Sequence, residues 1–143
     1  MTPEDRAQRS ADIMWESDHA AQWLGLRLTE VGEGRSAMEF TVAAEHCNGH
    51  GICHGGLTFA LADTAFAYAC NSRNQRTVAQ HNVISYIAPG KLGDVLTATA
   101  REVTLNGRSG IYDVAVHNQA GDLIAEFRGM SRMIKGQFFD EEA

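Results

Sequence analysis

Residues 57–70 read LTFALADTAFAYAC, a stretch rich in Ala and Leu that contains neither Gly nor Pro. This composition favours a helix of about four turns. Nearly every residue in the stretch is apolar, and a helix that is apolar on all sides is buried on all sides. We therefore expect the rest of the chain to supply a layer that wraps around this helix.

Strands precede and follow the helix in the sequence. Residues 34–43 place Met38, Phe40 and Val42 at period two, and residues 26–31 form a candidate hairpin partner. Turn sequences such as Asn106-Gly107 separate four further predicted strands, over residues 77–87, 94–105, 109–117 and 123–134. Short helices are predicted at the N-terminus and over residues 17–23. This order predicts an α+β fold, a curved antiparallel sheet around one long central helix.

The composition of the 143 residues fits one domain and narrows the functional classes. A formal net charge of -6 disfavours nucleic acid as a partner. No run approaches the roughly 20 apolar residues of a membrane span, and the polar N-terminus lacks a secretory apolar region. Three cysteines cannot all pair within one chain, so we expect a cytoplasmic protein with free thiols. Residues 136–143 are expected to form a flexible tail.

Asp63 is the only charged residue between His54 and Arg73. An isolated carboxylate in a buried helix costs several kcal/mol unless it is paired, neutralised or facing a cleft. An apolar side chain would be more stable there, so the carboxylate indicates a functional role. The alternative is a structural hydrogen bond from Asp63 to a neighbouring polar group.

Gly55 and Gly56 stand where a loop over residues 45–56 becomes the helix. Backbone N–H groups at a helix N-terminus bind anions and developing oxyanions. Eight residues separate Gly55 from Asp63, which places them about 12 Å apart along an intact helix. One reacting group cannot contact both, so we predict a site shared by two antiparallel helices across a twofold axis. The protein is therefore expected to be a homodimer or a homotetramer.

The motifs around this helix resemble those of hotdog-fold acyl-CoA thioesterases, and most closely the PaaI type of phenylacetate degradation. The matching segments are Asn48-Gly-His50, Cys53-His-Gly-Gly56, residues 61–72, Pro89-Gly90, Gly93-Asp94, Gly110-Ile-Tyr-Asp113 and Phe127-Arg-Gly129. The resemblance covers nearly the whole chain and implies a single hotdog domain over residues 1–143. It also implies hydrolysis of an acyl-CoA, with phenylacetyl-CoA or a ring-hydroxylated phenylacetyl-CoA as the favoured substrate.

The same resemblance implies roles for individual residues. Asp63 is similar to the family's helix carboxylate, Gly55 to its oxyanion-binding amide, and Asn48 to the loop asparagine that positions the thioester. His54 is the motif histidine, and Thr64 stands where a polar neighbour often assists. CoA contacts are expected at Gly56, Arg108, Ser109, Arg128 and Arg132.

The chain departs from the family pattern in the strand after the helix. Some relatives carry an early Ser or Thr there, which helps to hold the water. Residues 78–84 contain no hydroxyl group, and the next one is that of Ser85. Gln80, Asn82 and Thr64 are the candidate replacements.

Two other functions stay open at this point: a hotdog domain that binds acyl-CoA without hydrolysis, and a hotdog hydratase. Asp63 favours hydrolysis, because a binding-only pocket does not need a buried carboxylate. A zinc site is a further alternative, but the spacing matches no usual ligand set for the candidates His46, Cys47, His50, Cys53 and His54. We expect no metal and no cofactor. The expected partners are the acyl-CoA substrate and further copies of the chain, with neither nucleic acid nor a membrane.

Overall fold

The computed structural model describes residues 1–141. Three α-helices and a short 3-10 turn are present: α1 (Pro3–Ser17), α2 (His19–Trp23), the turn Ala44–His46 and α3 (Gly55–Cys70). The strands are β1 (Arg27–Gly32), β2 (Arg35–Thr41), β3 (Thr77–Tyr86), β4 (Val95–Asn106), β5 (Ser109–His117) and β6 (Leu123–Met133). Within residues 1–141, no helix has the length and apolar character needed to cross a membrane.

The strands form one antiparallel sheet in the order β1-β2-β4-β5-β6-β3. β3 follows α3 directly in the chain, yet it pairs with β6 and so forms one edge of the sheet. α3 packs on the inner face and contacts all six strands. This arrangement confirms the predicted α+β hotdog fold, in which a curved antiparallel sheet wraps one long helix.

Alternate residues of the strands face α3 and form the core. Met38 and Phe40 point inward from β2, and Phe127 points inward from β6. A β-carbon at Gly129 would lie 2.9 Å from the ring of Phe66 on α3. Glycine at this position therefore lets α3 approach β6 closely.

One face of α3 is not covered. Ala60, Asp63, Thr64 and Ala67 are half-buried and recur at helical spacing. The prediction of a helix buried on all sides is therefore wrong for the single chain, because the sheet covers only one side of α3. We call this half-buried row of residues 60, 63, 64 and 67 the open stripe.

The N-terminal turn of α3 also differs from the predicted helix over residues 57–70. The helix begins at Gly55, because the Nδ1 atom of His54 accepts a hydrogen bond of 2.9 Å from the Gly56 N–H. This bond satisfies one of the backbone donors left unpaired at a helix N-terminus. Sequence patterns favour Ser, Thr, Asp or Asn in that capping position, so they do not predict a histidine cap.

Residues 138, 139 and 141 of the predicted flexible tail contact Asn74 or Arg6. The Asn74 side-chain amide donates to the Phe139 carbonyl oxygen at 2.9 Å, and its Oδ1 accepts from the Phe138 N–H at 2.9 Å. Glu141 adds an ion pair with Arg6 at 2.9 Å. The flexibility of residues 136–143 stays a prediction, and residues 142 and 143 lie outside the described residues.

Candidate active site

Gly55 presents its main chain in a tightly packed setting. The hydroxyl of Tyr86 donates to the Gly55 carbonyl oxygen at 2.8 Å, and a β-carbon at Gly55 would lie 3.1 Å from Cζ of Tyr86. Among residues 1–141, no acceptor is paired with the Gly55 N–H. An unpaired donor at a helix N-terminus is of the kind that binds an oxyanion, and the role of Gly55 stays a prediction.

Asn48 lies in the loop that leads to α3. Its Oδ1 accepts from the His50 N–H at 2.9 Å, and its own N–H donates to the Ile52 carbonyl oxygen at 2.9 Å. Asn48 and Gly55 line the same cavity of about 380 Å³, together with Tyr86. The structure therefore brings these two predicted site residues to one cavity.

Asp63 lies two turns further along α3, where it meets β3. The Nδ2 atom of Asn82 donates to Oδ1 of Asp63 at 3.0 Å. Burial raises the pKa of Asp63 above its ordinary value, and the hydrogen bond from Asn82 opposes that rise. A carboxylate whose pKa is raised in this way is suited to general-base or nucleophilic chemistry.

Asn82 has one polar atom without a partner. Its Oδ1 is buried and accepts no hydrogen bond from any of residues 1–141. Buried carbonyl oxygens are normally paired, so this atom is a free acceptor beside the Asp63 carboxylate.

The contacts of Gln80, Asn82 and Thr64, the three candidates for holding the water, differ. Asn82 contacts Asp63 directly, whereas Gln80 is exposed. The Thr64 hydroxyl donates to the carbonyl oxygen of Ala60 at 2.6 Å, one turn back in α3. Of the three candidates, Asn82 is therefore the partner of Asp63.

The irregularity of β3 explains why sequence reasoning left Asn82 undecided. Strict alternation from the buried Thr77 points residues 79, 81 and 83 towards α3 and Asn82 away from it. A β-bulge between Ala79 and His81 reverses that alternation, so Asn82 faces the helix. No turn residue marks the bulge in the sequence, and only the pairing of β3 with β6 reveals it.

The predicted CoA-binding cations do not lie beside Asp63. Arg128 and Arg132 alternate with the inward-facing Gly129 and Ser131, so they face the outer side of the sheet. Arg128 is held by Asp113, with Nε–Oδ1 at 2.6 Å and Nη2–Oδ2 at 2.9 Å. This paired charge is less available to a phosphate than an unpaired one.

Arg108 and Arg132 are more accessible candidates. Both are exposed, and the Arg108 side chain donates only to the Met133 carbonyl oxygen, at 3.3 Å. Ser109 is the register partner of Arg132, so these three residues lie together where β5 begins and β6 ends. Gly56 lies apart from them, in the first turn of α3.

A second cavity, of about 430 Å³, opens beside the N-terminus of α3. Its apolar lining includes Trp23, Leu24 and Leu57, and His54 also borders it. Trp23 is 85% exposed, which is unusual for so large an apolar side chain. Within residues 1–141, no three His, Cys, Asp or Glu side chains are grouped so that they could hold a metal ion.

Comparison with known proteins extends these findings. The family model described as the thioesterase superfamily matches residues 50–125. The acyl-coenzyme A thioesterase PaaI of Escherichia coli (strain K12) is 43% identical over 136 residues, covering 95% of this chain and 97% of the relative. The solved structure of E. coli PaaI, from the phenylacetic acid degradation operon, superposes with a TM-score of 0.93 at 42% identity, covering 95% of this chain and 99% of that one. A hypothetical thioesterase of Streptococcus pneumoniae, solved with coenzyme A, gives a TM-score of 0.74 at 26% identity, covering 78% and 90%.

Proposed function

The chain belongs to the thioesterase superfamily and is an acyl-CoA thioesterase, and we propose that its substrates are aryl acyl-CoA thioesters. Phenylacetyl-CoA and ring-hydroxylated phenylacetyl-CoA are the favoured members of that class. The half-buried Asp63 carboxylate, hydrogen-bonded to Asn82, supports hydrolysis. The observation that carries the aryl preference is the apolar cavity beside the exposed Trp23. The phenylacetic acid degradation operon of the E. coli relative agrees with an aryl substrate. The cytoplasmic location stays a prediction.

The active site is proposed to be shared between two chains. α3 runs unbroken from Gly55 to Cys70, so Gly55 and Asp63 of one chain are about 12 Å apart. Two copies of α3 packed antiparallel, with a crossing point near Phe59, would place Gly55 of one chain beside Asp63 of the other. We therefore propose a homodimer as the active unit, with a homotetramer as the larger assembly.

Hydrolysis is proposed to begin at the thioester carbonyl carbon. Asp63 attacks this carbon, or removes a proton from a water molecule that attacks it. The Gly55 N–H of the other chain donates to the oxyanion, and the positive end of the α3 dipole adds to this stabilisation. The carbon–sulfur bond then breaks and releases CoA as a thiolate, a good leaving group that needs no strong general acid.

Asn82 is proposed to orient both the carboxylate and the water. Its Nδ2 holds Oδ1 of Asp63, and its unpaired Oδ1 accepts one hydrogen of the attacking water. Asn48 is proposed to orient the thioester from the cavity that it shares with Gly55. His54 acts through its bond to Gly56, which holds the first turn of α3 in place. Thr64 is proposed to assist as the polar neighbour of Asp63.

The cavity beside Trp23 is proposed to accept the aryl group. Its volume of about 430 Å³ lies within the range of small-molecule sites. An aromatic substrate can stack on the exposed Trp23 ring. The CoA phosphates are proposed to bind the exposed cations Arg108 and Arg132, with Ser109 as a polar contact. Gly56 is proposed to contact the substrate separately, at the first turn of α3. Arg128 is the weakest of the proposed contacts because Asp113 already pairs with it.

The substrate proposal is tested with a panel of aryl, hydroxyaryl and straight-chain acyl-CoAs, with thiol release as the readout. We expect the highest kcat/KM with the aryl and hydroxyaryl thioesters. Trp23→Ala should reduce this preference by raising KM for aryl substrates alone. A higher kcat/KM for straight-chain acyl-CoAs would contradict the proposal.

The shared site is tested by mixing two inactive variants. Asp63→Asn chains and Gly55→Ala chains are expected to regain activity as heterodimers, because one of the two sites then contains no altered residue. Verified heterodimers with no recovered activity would show that each chain builds its own site. A monodisperse, active monomer in light scattering would also contradict the shared site.

A further inference from the structure

Two cysteines face each other in the loop that carries Asn48. Cys47 and Cys53 form an isolated antiparallel bridge. The hydrogen bonds of this bridge run from the Asn48 N–H to the Ile52 carbonyl oxygen at 2.9 Å and from the His54 N–H to the His46 carbonyl oxygen at 2.8 Å. They flank the two cysteines, which are therefore a non-hydrogen-bonded pair with both side chains on the same side of the bridge.

This pairing brings the cysteines within reach of a disulfide. Opposed residues in a non-hydrogen-bonded pair have Cα atoms about 4.5 Å apart, and disulfides join Cα atoms about 4.4–6.8 Å apart. The pairing is therefore compatible with a disulfide. A disulfide that solvent reaches is readily reduced, which is typical of regulatory rather than structural bridges, and Cys47 is only half-buried.

Both thiols are reduced in the structure and only weakly held. The Cys47 S–H points to the Ala43 carbonyl oxygen at 3.5 Å. The Cys53 sulfur accepts from the Thr58 hydroxyl at 3.6 Å. Cys47 is half-buried and Cys53 is buried, so an external reagent reaches Cys47 first. Cys70, at the far end of α3, has no cysteine opposite it.

We propose that Cys47 and Cys53 form a reversible disulfide that switches the thioesterase off. The oxidant is a low-molecular-weight disulfide. The Cys47 thiolate attacks one of its sulfurs, which breaks that disulfide and releases one thiol. Cys53 then attacks the Cys47 sulfur and releases the second thiol. The two cysteines lose two electrons and two protons in total, and the small disulfide becomes two thiols.

The effect on activity follows from the position of the bridge. Cys53 immediately precedes His54 and Gly55, and the bridge encloses Asn48. Drawing the two sulfurs together pulls Cys53 away from Thr58, which lies in the first turn of α3. Asn48 and Gly55 then move relative to each other. Because misplacement by about 1 Å can lower a rate by about 10²-fold, we expect the oxidised enzyme to lose about tenfold or more of its activity.

The proposal is tested by equilibrating the full-length protein with oxidised glutathione. We expect an intact mass lower by two hydrogens. Thermolysin, which cleaves before Ile52, should give fragments that stay joined until they are reduced. Thioesterase activity should fall over the same range of glutathione redox potential in which the disulfide forms, and dithiothreitol should restore the activity. Cys70→Ser should behave like the unaltered protein, whereas Cys47→Ser and Cys47→Ala should each show the same activity under oxidising as under reducing conditions.

Two of these measurements test the disulfide alone, whereas the activity measurement also rests on the proposed thioesterase function. The mass and fragment measurements decide the disulfide even if no tested thioester is hydrolysed. Absence of a Cys47–Cys53 link in both the unaltered protein and Cys70→Ser would overturn the proposal. A link that forms without changing activity towards an accepted substrate would overturn the switch.

Discussion

The first turn of α3 and the turn around Asp63 both interrupt an apolar helix with a polar group, but they are built in different ways. At the first turn, the polar group is the Gly55 N–H of the main chain, next to the cap formed by His54. At the other turn, it is a side chain that the distant strand β3 supports through Asn82. The position of the Gly55 N–H thus requires a residue without a side chain, whereas the Asp63 carboxylate requires a hydrogen-bond partner from the distant strand β3.

The two turns also differ in their electrostatic consequences. Any helix start leaves unpaired N–H groups, so the donor at Gly55 adds no charge that must be removed from water. Burial raises the pKa of Asp63, which shows that the folded chain disfavours its ionised form. The Gly55 N–H, the proposed oxyanion donor, therefore costs the fold little stability, whereas burial of the Asp63 carboxylate lowers stability.

The largest expected effect comes from removing the charge at the carboxylate end. Asp63→Asn keeps the shape of the side chain and should lower kcat by about 10²–10⁴-fold, the span typical of positioned acid–base groups. KM should change little, because the loss is confined to the transition state. Asp140→Asn, at an exposed position, is the matched control. Steady-state kinetics that show Asp63→Asn within a factor of about two of the unaltered enzyme would remove Asp63 from the mechanism.

The next largest effect is expected at the donor end. Gly55→Ala keeps the N–H group but sets a β-carbon 3.1 Å from Cζ of Tyr86. Relief of this contact displaces the amide, and we expect kcat to fall by up to about 10²-fold. Gly49→Ala, in the same loop, meets no atom within 4 Å and should retain activity. Equal activity in the two variants would show that the position of the Gly55 amide is unimportant.

The pH dependence tests the support that β3 gives to Asp63. In the proposed mechanism the carboxylate acts in its ionised form, so activity should fall as the pH falls through its raised pKa. Asn82→Ala removes the hydrogen bond that lowers this pKa, so the acid limb of the kcat profile should move to higher pH. Gln80→Ala, on the exposed part of the same strand, should leave the profile unchanged. An unshifted acid limb in Asn82→Ala would mean that Asn82 does not act on Asp63.

The smallest expected effect is on the free energy of unfolding, which Asp63→Asn and Gly55→Ala should change in opposite directions. A raised pKa means that the folded state holds the proton of Asp63 more tightly than the unfolded state does. The Asp63 carboxyl group therefore contributes stability at pH values below its ordinary pKa, and this contribution is lost as the pH rises through its raised pKa. Asp63→Asn should therefore raise the free energy of unfolding at neutral pH by about 0.5–2 kcal/mol, with a smaller gain in acid. Gly55→Ala should lower the free energy of unfolding. Urea denaturation measures this quantity for both variants. A lower value for Asp63→Asn at neutral pH would mean that the carboxylate stabilises the fold.

Much of the architecture was predictable because it depends on neighbours in the sequence. The Ala- and Leu-rich composition of α3 and the period-two pattern of β2 are properties of short segments. The six strands lie within a few residues of their predicted bounds. The family resemblance carried over for the same reason, since its motifs are contiguous runs around α3.

The sequence alone determined that Gly55 and Asp63 lie on one helix and too far apart to serve one reacting group. That conclusion rests on the rise per residue of a helix, which does not depend on the rest of the fold. Tertiary structure decided which groups meet them. Tyr86 reaches Gly55 and Asn82 reaches Asp63 because β3 pairs with β6, and a β-bulge in that pairing turns Asn82 towards the helix. Contacts between residues 19 and 31 positions apart depend on sheet order and register, which no local pattern contains.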